Sequence, residues 1–197
     1  MKKLLLILCV ALSPLGTAAQ VYHAGEDSAE TAAVKHWEVS VGWIHSNQRV
    51  QDNAAISVLQ NTQGITARGL YYPWRWLGVG LEGAWMEQKD FLGDNSYDDT
   101  RYGFISKWVL TPDTKPVAYL LLGTGMRTQK LKYLNLRQHT KDTWYAQGGL
   151  GVEVEIYGGW FVAAEALMMY HGKEIDAFLE QGKRWERILA IRGGVRF

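Results

Sequence analysis

Apolar and polar residues alternate along residues 144–170, on either side of the dipeptide Gly158-Gly159. Before the dipeptide the even-numbered positions are mostly large and apolar, and the odd-numbered positions are polar or glycine. After it the even-numbered positions are again apolar, and Glu165 falls on the odd-numbered side. Successive side chains of a β-strand point to opposite faces, and two glycines suit the positive φ angles of a two-residue turn. The segment therefore predicts a hairpin with one apolar and one polar face.

The same alternation recurs in six further segments, which bring the number of predicted strands to eight. These segments are residues 36–46, 64–72, 75–86, 101–110, 117–127 and 187–197. A soluble sandwich would turn the apolar faces into a core. A membrane barrel would instead turn them toward lipid and line its interior with the polar faces. The alternation alone therefore leaves both architectures open.

The connections between the predicted strands favour the membrane barrel. Short connections fall near residues 73–75, 111–116 and 158–159, and long polar ones near residues 47–62, 89–99, 132–142 and 173–183. The two kinds alternate along the chain, as in barrels with short periplasmic turns and long extracellular loops. We therefore predict an all-β fold, an eight-stranded antiparallel up-and-down transmembrane β-barrel over residues 36–197. Aromatic residues near the strand ends on the apolar faces support this prediction, since such rings prefer the membrane interface: Trp37, Trp108, Trp144, Trp160 and Tyr170.

The N-terminal residues predict export from the cytoplasm. Residues 1–19 comprise a basic start, an apolar stretch and small residues before Gln20, the order found in secretory signal peptides. Residues 20–35 are then expected to form a periplasmic N-terminal segment. The chain contains 21 basic and 20 acidic residues, so nothing in its charge points to a nucleic-acid partner. The predicted location is the bacterial outer membrane.

The last predicted strand ends on an aromatic residue in register with its apolar face. This strand, "RILAIRGGVRF", resembles the C-terminal strand of bacterial outer-membrane barrels, in which a final Phe is read by the assembly machinery. The resemblance implies that Val195 and Phe197 form an assembly signal. The segments "LGVGLEG", "AYLLLGTGM", "GGLGVEVEI" and "GGVRF" extend the likeness. The chain resembles the OmpA/OmpX/opacity-type family of small, porin-like outer-membrane barrels over about residues 36–197.

Charged residues of both signs fall on the predicted inward faces. They are Glu38, Arg68, Glu82, Lys107, Arg127, Glu153, Glu155, Glu165, Arg192 and Arg196. An eight-stranded barrel is only wide enough for side chains to fill, and buried charges must be paired. The expected pairing sets Glu82, Glu153 and Glu165 against Arg68, Lys107, Arg127 and Arg192. Two interpretations remain open: a polar core that seals the barrel, and a narrow gated path for ions or protons.

The leading functional prediction is a non-enzymatic barrel with a structural or surface-recognition and adhesion role. Its expected partners are outer-membrane lipid and lipopolysaccharide, the barrel-assembly machinery and an extracellular ligand of the loops. We expect no cofactor, metal or nucleic acid. Residues 78–83 match a GxGxxG pattern, but they continue a strand and do not open a helix as a dinucleotide site requires. The alternatives are a minor gated pore and an enzyme that modifies lipid A or phospholipid, with His45, Ser46 and His171 as its polar residues.

Overall fold

The computed structural model describes residues 36–47, 61–89, 96–133, 137–171 and 185–197. The predicted signal peptide, residues 1–19, and the predicted periplasmic segment, residues 20–35, lie outside the described residues. Among the residues that the structure describes, no helix is long and apolar enough to cross a membrane.

Eight antiparallel strands form a closed barrel in which each strand pairs with its neighbours in the chain and β8 pairs with β1. The strands are β1 (Trp37–Asn47), β2 (Asn61–Trp74), β3 (Leu77–Lys89), β4 (Ser96–Val109), β5 (Val117–Tyr133), β6 (Arg137–Tyr157), β7 (Trp160–His171) and β8 (Trp185–Arg196). The predicted fold class is therefore confirmed. We call the end of the barrel at Trp37 and Phe197 the near end, and the opposite end the far end.

The strands are tilted relative to the barrel axis. Following paired residues around the barrel from Trp37 leads back to β1 at Asn47, ten residues further along the same strand. The path passes through Tyr71, Val79, Ser106, Leu122, Gly148, Met168 and Arg187. Such a displacement and the tilt of the strands are linked by the geometry of closure. As a result, polar side chains from strands that are not neighbours in the sheet can contact one another in the interior.

Burial is inverted relative to a soluble protein. Large apolar side chains face outward and are exposed, for example Leu81 (59%), Phe104 (72%) and Leu150 (59%). Charged side chains face inward and are buried, for example Arg68 (3%) and Arg127 (0%). An apolar outer surface around a polar interior is the arrangement of a barrel surrounded by lipid.

Exposed tryptophans form two bands on this outer surface. The near band contains Trp37, Trp74, Trp76, Trp108 and Trp160, and the far band contains Trp43, Trp85, Trp144 and Trp185. Tyr170 is partly buried between Trp144 and Trp185, at ring-centroid distances of 5.6 and 5.1 Å. Two aromatic girdles separated by an apolar surface are typical of transmembrane barrels.

Several strands extend further at the far end than the sequence predicts. β4 begins at Ser96, inside the predicted 89–99 connection, and the β5–β6 ladder continues to the pair Tyr133–Arg137. The predicted long connection at residues 132–142 is therefore wrong, because most of it is strand. The even-numbered positions of β5 are apolar at Leu122 and Met126 but become Thr128, Lys130 and Lys132 farther along, so the apolar face ends although the backbone remains paired.

Glycines have two separate roles in the barrel. Gly158 and Gly159 have φ angles of 59° and 93°, which confirms the predicted tight turn. In the interior, a Cβ atom at Gly78 would lie 2.9 Å from the ring of Tyr72, so this glycine makes room for an aromatic side chain. The GxGxxG pattern of residues 78–83 lies entirely within β3, which confirms that it continues a strand.

Candidate functional site

Inward-facing side chains are arranged in layers along the barrel. From the far end toward the near end, β8 presents Glu186, Ile188, Ala190, Arg192 and then Arg196 to the interior. Charged residues therefore lie at three levels, and apolar residues separate the far level from the central one. Because alternate residues of a strand share a face, this order follows directly from the sequence once the faces are known.

The level closest to Trp37 and Phe197 is the near cluster, which consists of Glu38, Lys107, Glu153 and Arg196. Nζ of Lys107 lies 3.0 Å from Oε2 of Glu38 and 2.5 Å from Oε2 of Glu153. Nε of Arg196 donates to Oε2 of Glu38 at 2.9 Å, and its Nη2 also pairs with Glu153. Tyr72 donates its hydroxyl to Glu38 at 2.7 Å. Each carboxylate in this cluster therefore contacts both cations.

The central cluster consists of Arg68, Glu82, Glu165 and Arg192. Arg68 donates to Glu165 through Nη1 at 2.7 Å and Nη2 at 3.0 Å, and to Glu82 through Nη2 at 2.7 Å. Arg192 donates to Glu165 at 2.8 Å and to Glu82 at 2.6 Å. Tyr119 adds a hydrogen bond from its hydroxyl to Glu165 at 3.0 Å. The two arginines and two glutamates thus form a ring in which each cation binds each carboxylate.

The far cluster consists of Asp99, Arg101, Arg127 and Glu186. Oδ2 of Asp99 accepts hydrogen bonds from Nη2 of Arg101 and from Nη2 of Arg127, each at 2.7 Å. Glu186 pairs with Arg101 and, at 3.1 Å, with Nη1 of Arg127, and it accepts a hydrogen bond from Oγ of Ser46. All four charged side chains are at least 96% buried. The far cluster therefore repeats the two-cation, two-anion composition of the other clusters.

Each cluster has two cations and two anions and therefore no net formal charge, so no buried charge in it is left without a partner. A buried charge without a partner is strongly disfavoured, and removing one member of a buried pair typically costs about 3–5 kcal/mol. The balanced clusters avoid this cost while filling the interior with hydrogen-bonded side chains. Within the described ranges, no three His, Cys, Asp or Glu side chains are grouped as metal ligands. The arrangement is suited to closing the barrel with an internal polar scaffold.

Sequence reasoning missed three of the four members of the far cluster. Asp99 and Glu186 lie in or beside segments that were interpreted as loops, and Arg101 was left out although it opens a predicted strand. On β4, every second residue counted from Lys107 toward the far end falls on the inward face. This series contains both Arg101 and Asp99. Continuing the parity of the last strand would likewise have reached Glu186.

Two predicted members of the network are placed differently from the sequence prediction. Arg127 does not join the central glutamates, because it pairs with Asp99 and Glu186 at the far level. Glu155 is exposed near the β6–β7 turn, where its Oε1 accepts a hydrogen bond from the backbone N–H of Gly159 at 3.1 Å. The β6–β7 register shifts between Glu155 and Tyr157, so the inward alternation of β6 ends before the turn.

The three polar residues of the enzymatic alternative do not share a surface. His45 lies on the outward face of β1, where its ring stacks on Trp43 at a centroid distance of 5.7 Å. Ser46 is the next residue, faces the interior and donates to a carboxylate of the far cluster. His171 is also buried inside the barrel. A hydroxyl nucleophile next to a histidine base on the lipid-facing surface is therefore not formed by these residues.

Val195 and Phe197 lie at the near end, at the seam between β8 and β1. The backbone of Phe197 exchanges two hydrogen bonds of 3.0 Å with the backbone of Trp37, and its side chain is exposed. Val195 is partly buried and is opposite Val39 on β1. The proposed role of both residues in assembly stays a prediction.

Comparison with known proteins identifies the fold. No protein-family model matches the chain, and no curated protein matches it by sequence. Among solved structures, Ail, the attachment invasion locus protein of Yersinia pestis, is 14% identical, with a TM-score of 0.55 over 83% of this chain and 99% of that chain. Neisserial surface protein A is 14% identical, with a TM-score of 0.56 over 82% of this chain and 97% of that chain. OprG from Pseudomonas aeruginosa is 11% identical, with a TM-score of 0.56 over 83% and 96%.

At these identities the likeness concerns the fold. The matched proteins are small barrels of the bacterial outer membrane, and the apolar belt between two aromatic bands fits the same environment. The chain therefore has the fold of the small eight-stranded β-barrels of the bacterial outer membrane.

Proposed function

We propose that this protein is a non-conducting, non-enzymatic outer-membrane barrel that acts through its extracellular end. The observation that carries this proposal is the set of three charge-balanced clusters, whose side chains meet across the interior at three successive levels. A solute would have to displace ion pairs at every level, each in a poorly hydrated interior. Because the interior does not conduct solutes in this proposal, the protein acts through its outer surface.

The far end is proposed to face the outside of the cell. Short connections lie at the near end, as expected for the periplasmic side: residues 75–76, 110–116 and 158–159. The β5–β6 ladder extends in the opposite direction, seven residues beyond the pair Met126–Trp144 in the far aromatic band. At about 3.4 Å per residue and a tilt near 45°, the pair Tyr133–Arg137 lies roughly 17 Å beyond that band along the barrel axis.

The projecting hairpin is basic. Residues 129–141 contain four Lys or Arg residues and no Asp or Glu, although the whole chain is nearly balanced in charge. The basic residues are Lys130, Lys132, Arg137 and Lys141. The ladder places Asp98 opposite Lys130 and Asp142 opposite Thr128, so these acidic residues lie toward the base of the hairpin. The composition favours an anionic partner outside the cell.

The structural neighbours are consistent with a recognition role. Ail is described as an attachment invasion locus protein, and one of its structures contains the heparin analogue sucrose octasulfate. That structure is 15% identical to this chain, with a TM-score of 0.53, and so shows only a shared fold. The proposal for this protein therefore depends on its own hairpin, and a sulfated glycan is the first ligand to test.

Binding of heparin to the purified barrel in detergent tests the recognition role. We expect salt-sensitive binding, because charge neutralisation dominates such contacts, and at least a tenfold loss when Lys130, Lys132, Arg137 and Lys141 are all changed to Gln. The matched control changes Arg75 and Lys115 to Gln, two basic residues at the near end. Equal binding by both variants would contradict a role for the hairpin.

Assembly of the barrel is proposed to use Phe197. Its exposed ring at the β8–β1 seam is available to the barrel-assembly machinery before the last strand closes. Replacing Phe197 by Asp should lower the outer-membrane yield in cells much more than Asp98→Lys near the far end. Equal yields would contradict the proposal.

A further inference from the structure

One arginine faces outward from the barrel at the level of the far aromatic band. Arg187 lies on β8 between Trp185 and Leu189 on the same face, and its side chain is exposed. Its ladder partners are Met168 on β7 and Asn47 on β1. Unlike the arginines of the interior clusters, Arg187 thus lies on the surface that contacts lipid.

Among the described residues, no carboxylate shares the outward face of the barrel beside Arg187, because the adjacent Glu186 faces the interior. No ion pair or hydrogen bond joins its side chain to another side chain within the part of the chain that the structure describes. The outward residues diagonal to it are His45 on β1 and Tyr170 on β7, and neither is acidic. An outward guanidinium at the edge of the membrane is favoured where it extends to the polar headgroup level. Among the described residues, none therefore supplies an anion to the guanidinium of Arg187.

Two further hydrogen-bonding groups lie beside Arg187. His45 is paired with Leu189, which places it diagonally from Arg187 at roughly 7–8 Å between Cα atoms. Gln63 is opposite His45 on β2 and is exposed. The stack of His45 on Trp43, with an interplanar angle of 16°, holds the imidazole against the barrel wall. The guanidinium of Arg187 on β8, the imidazole of His45 on β1 and the amide of Gln63 on β2 thus lie on three adjacent strands.

Among the described residues, the nearest outward carboxylate in the direction of β1 to β3 belongs to Glu87. It is opposite Gln63 on β3, three strands away from Arg187. At about 4.8 Å per strand, Glu87 lies roughly 14 Å from Arg187 across the sheet. Among the described residues, the guanidinium of Arg187 is therefore separated from outward-facing negative charge on β1 to β3. Arginine in particular matches the geometry of phosphate oxygens through its planar set of donors.

We propose that Arg187, His45 and Gln63 form a binding site for a phosphate group of an outer-leaflet glycolipid, the phosphorylated glucosamine head of lipid A. The acyl chains of that lipid would lie against Leu189, Met168 and Ile191, which are exposed below the site. The inference depends on the outer-membrane location and on the proposed outward orientation of the far end. It does not depend on the recognition role of the β5–β6 hairpin.

Binding of lipid to the folded barrel in detergent, measured by native mass spectrometry, tests this site. The probes are diphosphoryl lipid A, fully dephosphorylated lipid A, phosphatidylglycerol and inorganic phosphate. We expect diphosphoryl lipid A to bind the unaltered protein at least tenfold more tightly than each other probe. Arg187→Gln should remove most of this preference, Arg187→Lys should restore part of it, and His45→Gln should weaken it by a smaller factor.

Arg75→Gln is the matched control, because Arg75 is an exposed arginine at the near end with a 3.8 Å contact to Asp113. This variant should bind lipid A like the unaltered protein. Equal binding by Arg187→Gln, or equal binding of dephosphorylated lipid A, would overturn the proposal. If phosphatidylglycerol bound as tightly as diphosphoryl lipid A, the site would not be specific for lipid A. If inorganic phosphate bound as tightly, the ligand would not need to be a lipid. Heparin binding measured on the same variants reports separately on the hairpin.

Discussion

Arg68 on β2 and Glu165 on β7 are joined across the barrel interior by two hydrogen bonds of 2.7 and 3.0 Å. The two strands are not neighbours, because β1 and β8 lie between them in the sheet. The pair therefore links opposite parts of the wall. The backbone ladder closes the barrel, and contacts of this kind fill it.

Removing the charge of Glu165 should destabilise the barrel strongly. Glu165→Gln leaves Arg68 and Arg192 sharing one carboxylate in a buried site, and breaking such a pair costs about 3–5 kcal/mol. Urea unfolding in lipid vesicles would measure the loss. Arg75→Gln, which removes an exposed pair, should change the free energy of unfolding by less than about 1 kcal/mol. Similar values for both variants would contradict the structural role of the central cluster.

The far cluster should behave as a unit separate from the central one. A double-mutant cycle of Arg127→Met with Asp99→Asn should give a coupling energy of about 1–3 kcal/mol, because these residues are in contact. The corresponding cycle of Arg127→Met with Glu165→Gln should be additive within about 0.5 kcal/mol. The opposite ranking of the two coupling energies would favour the pairing expected from the sequence.

An added methyl group should be tolerated on the outside of β2 and not on the inside of β3. Gly78→Ala would push against the ring of Tyr72, which is held by its hydrogen bond to Glu38, so a loss of about 1–3 kcal/mol is expected. Gly69→Ala is the control, because no atom lies within 4 Å of the new Cβ. Equal stability of both variants in urea unfolding would show that the interior is not tightly filled.

Replacing His45 or Ser46 by Ala should leave the acylation of lipid A in cells unchanged. The two side chains lie on opposite faces of β1, and Ser46 donates its hydroxyl to Glu186. Mass spectrometry of lipid A from cells with and without each variant measures the outcome. A gain or loss of one acyl chain that depends on either residue would instead support the enzymatic alternative.

The strands that cross the membrane were predictable from the sequence, and the ends of the longest strands were not. In the membrane, one face of each strand must be apolar and the other polar, so the alternation is visible in segments such as residues 117–127. Beyond the far band both faces contact polar surroundings. The even-numbered positions from Thr128 to Lys132 are therefore polar, and the ladder continues to Tyr133 without the apolar face that marks the membrane-spanning part.

Strand alternation determines which members of the charge network can be predicted from the sequence. Parity within a strand identifies Glu38 or Arg192 as inward-facing, but it contains no information about which strands meet across the interior. The partner of Arg127 depends on the ten-residue displacement of the closed ladder, which places it near Glu186 and away from the central glutamates. Glu155 was misplaced because a register shift near the turn interrupts the alternation.

Single-channel recording of the unaltered protein in planar lipid bilayers tests the central claim most directly. Three balanced clusters that fill the interior predict no steady conductance above that of the bare bilayer. The recording should use folded protein whose electrophoretic mobility changes on heating, so that an absence of current is not caused by unfolded material. Large, steady single-channel currents from such protein would contradict a sealed barrel and would favour a pore.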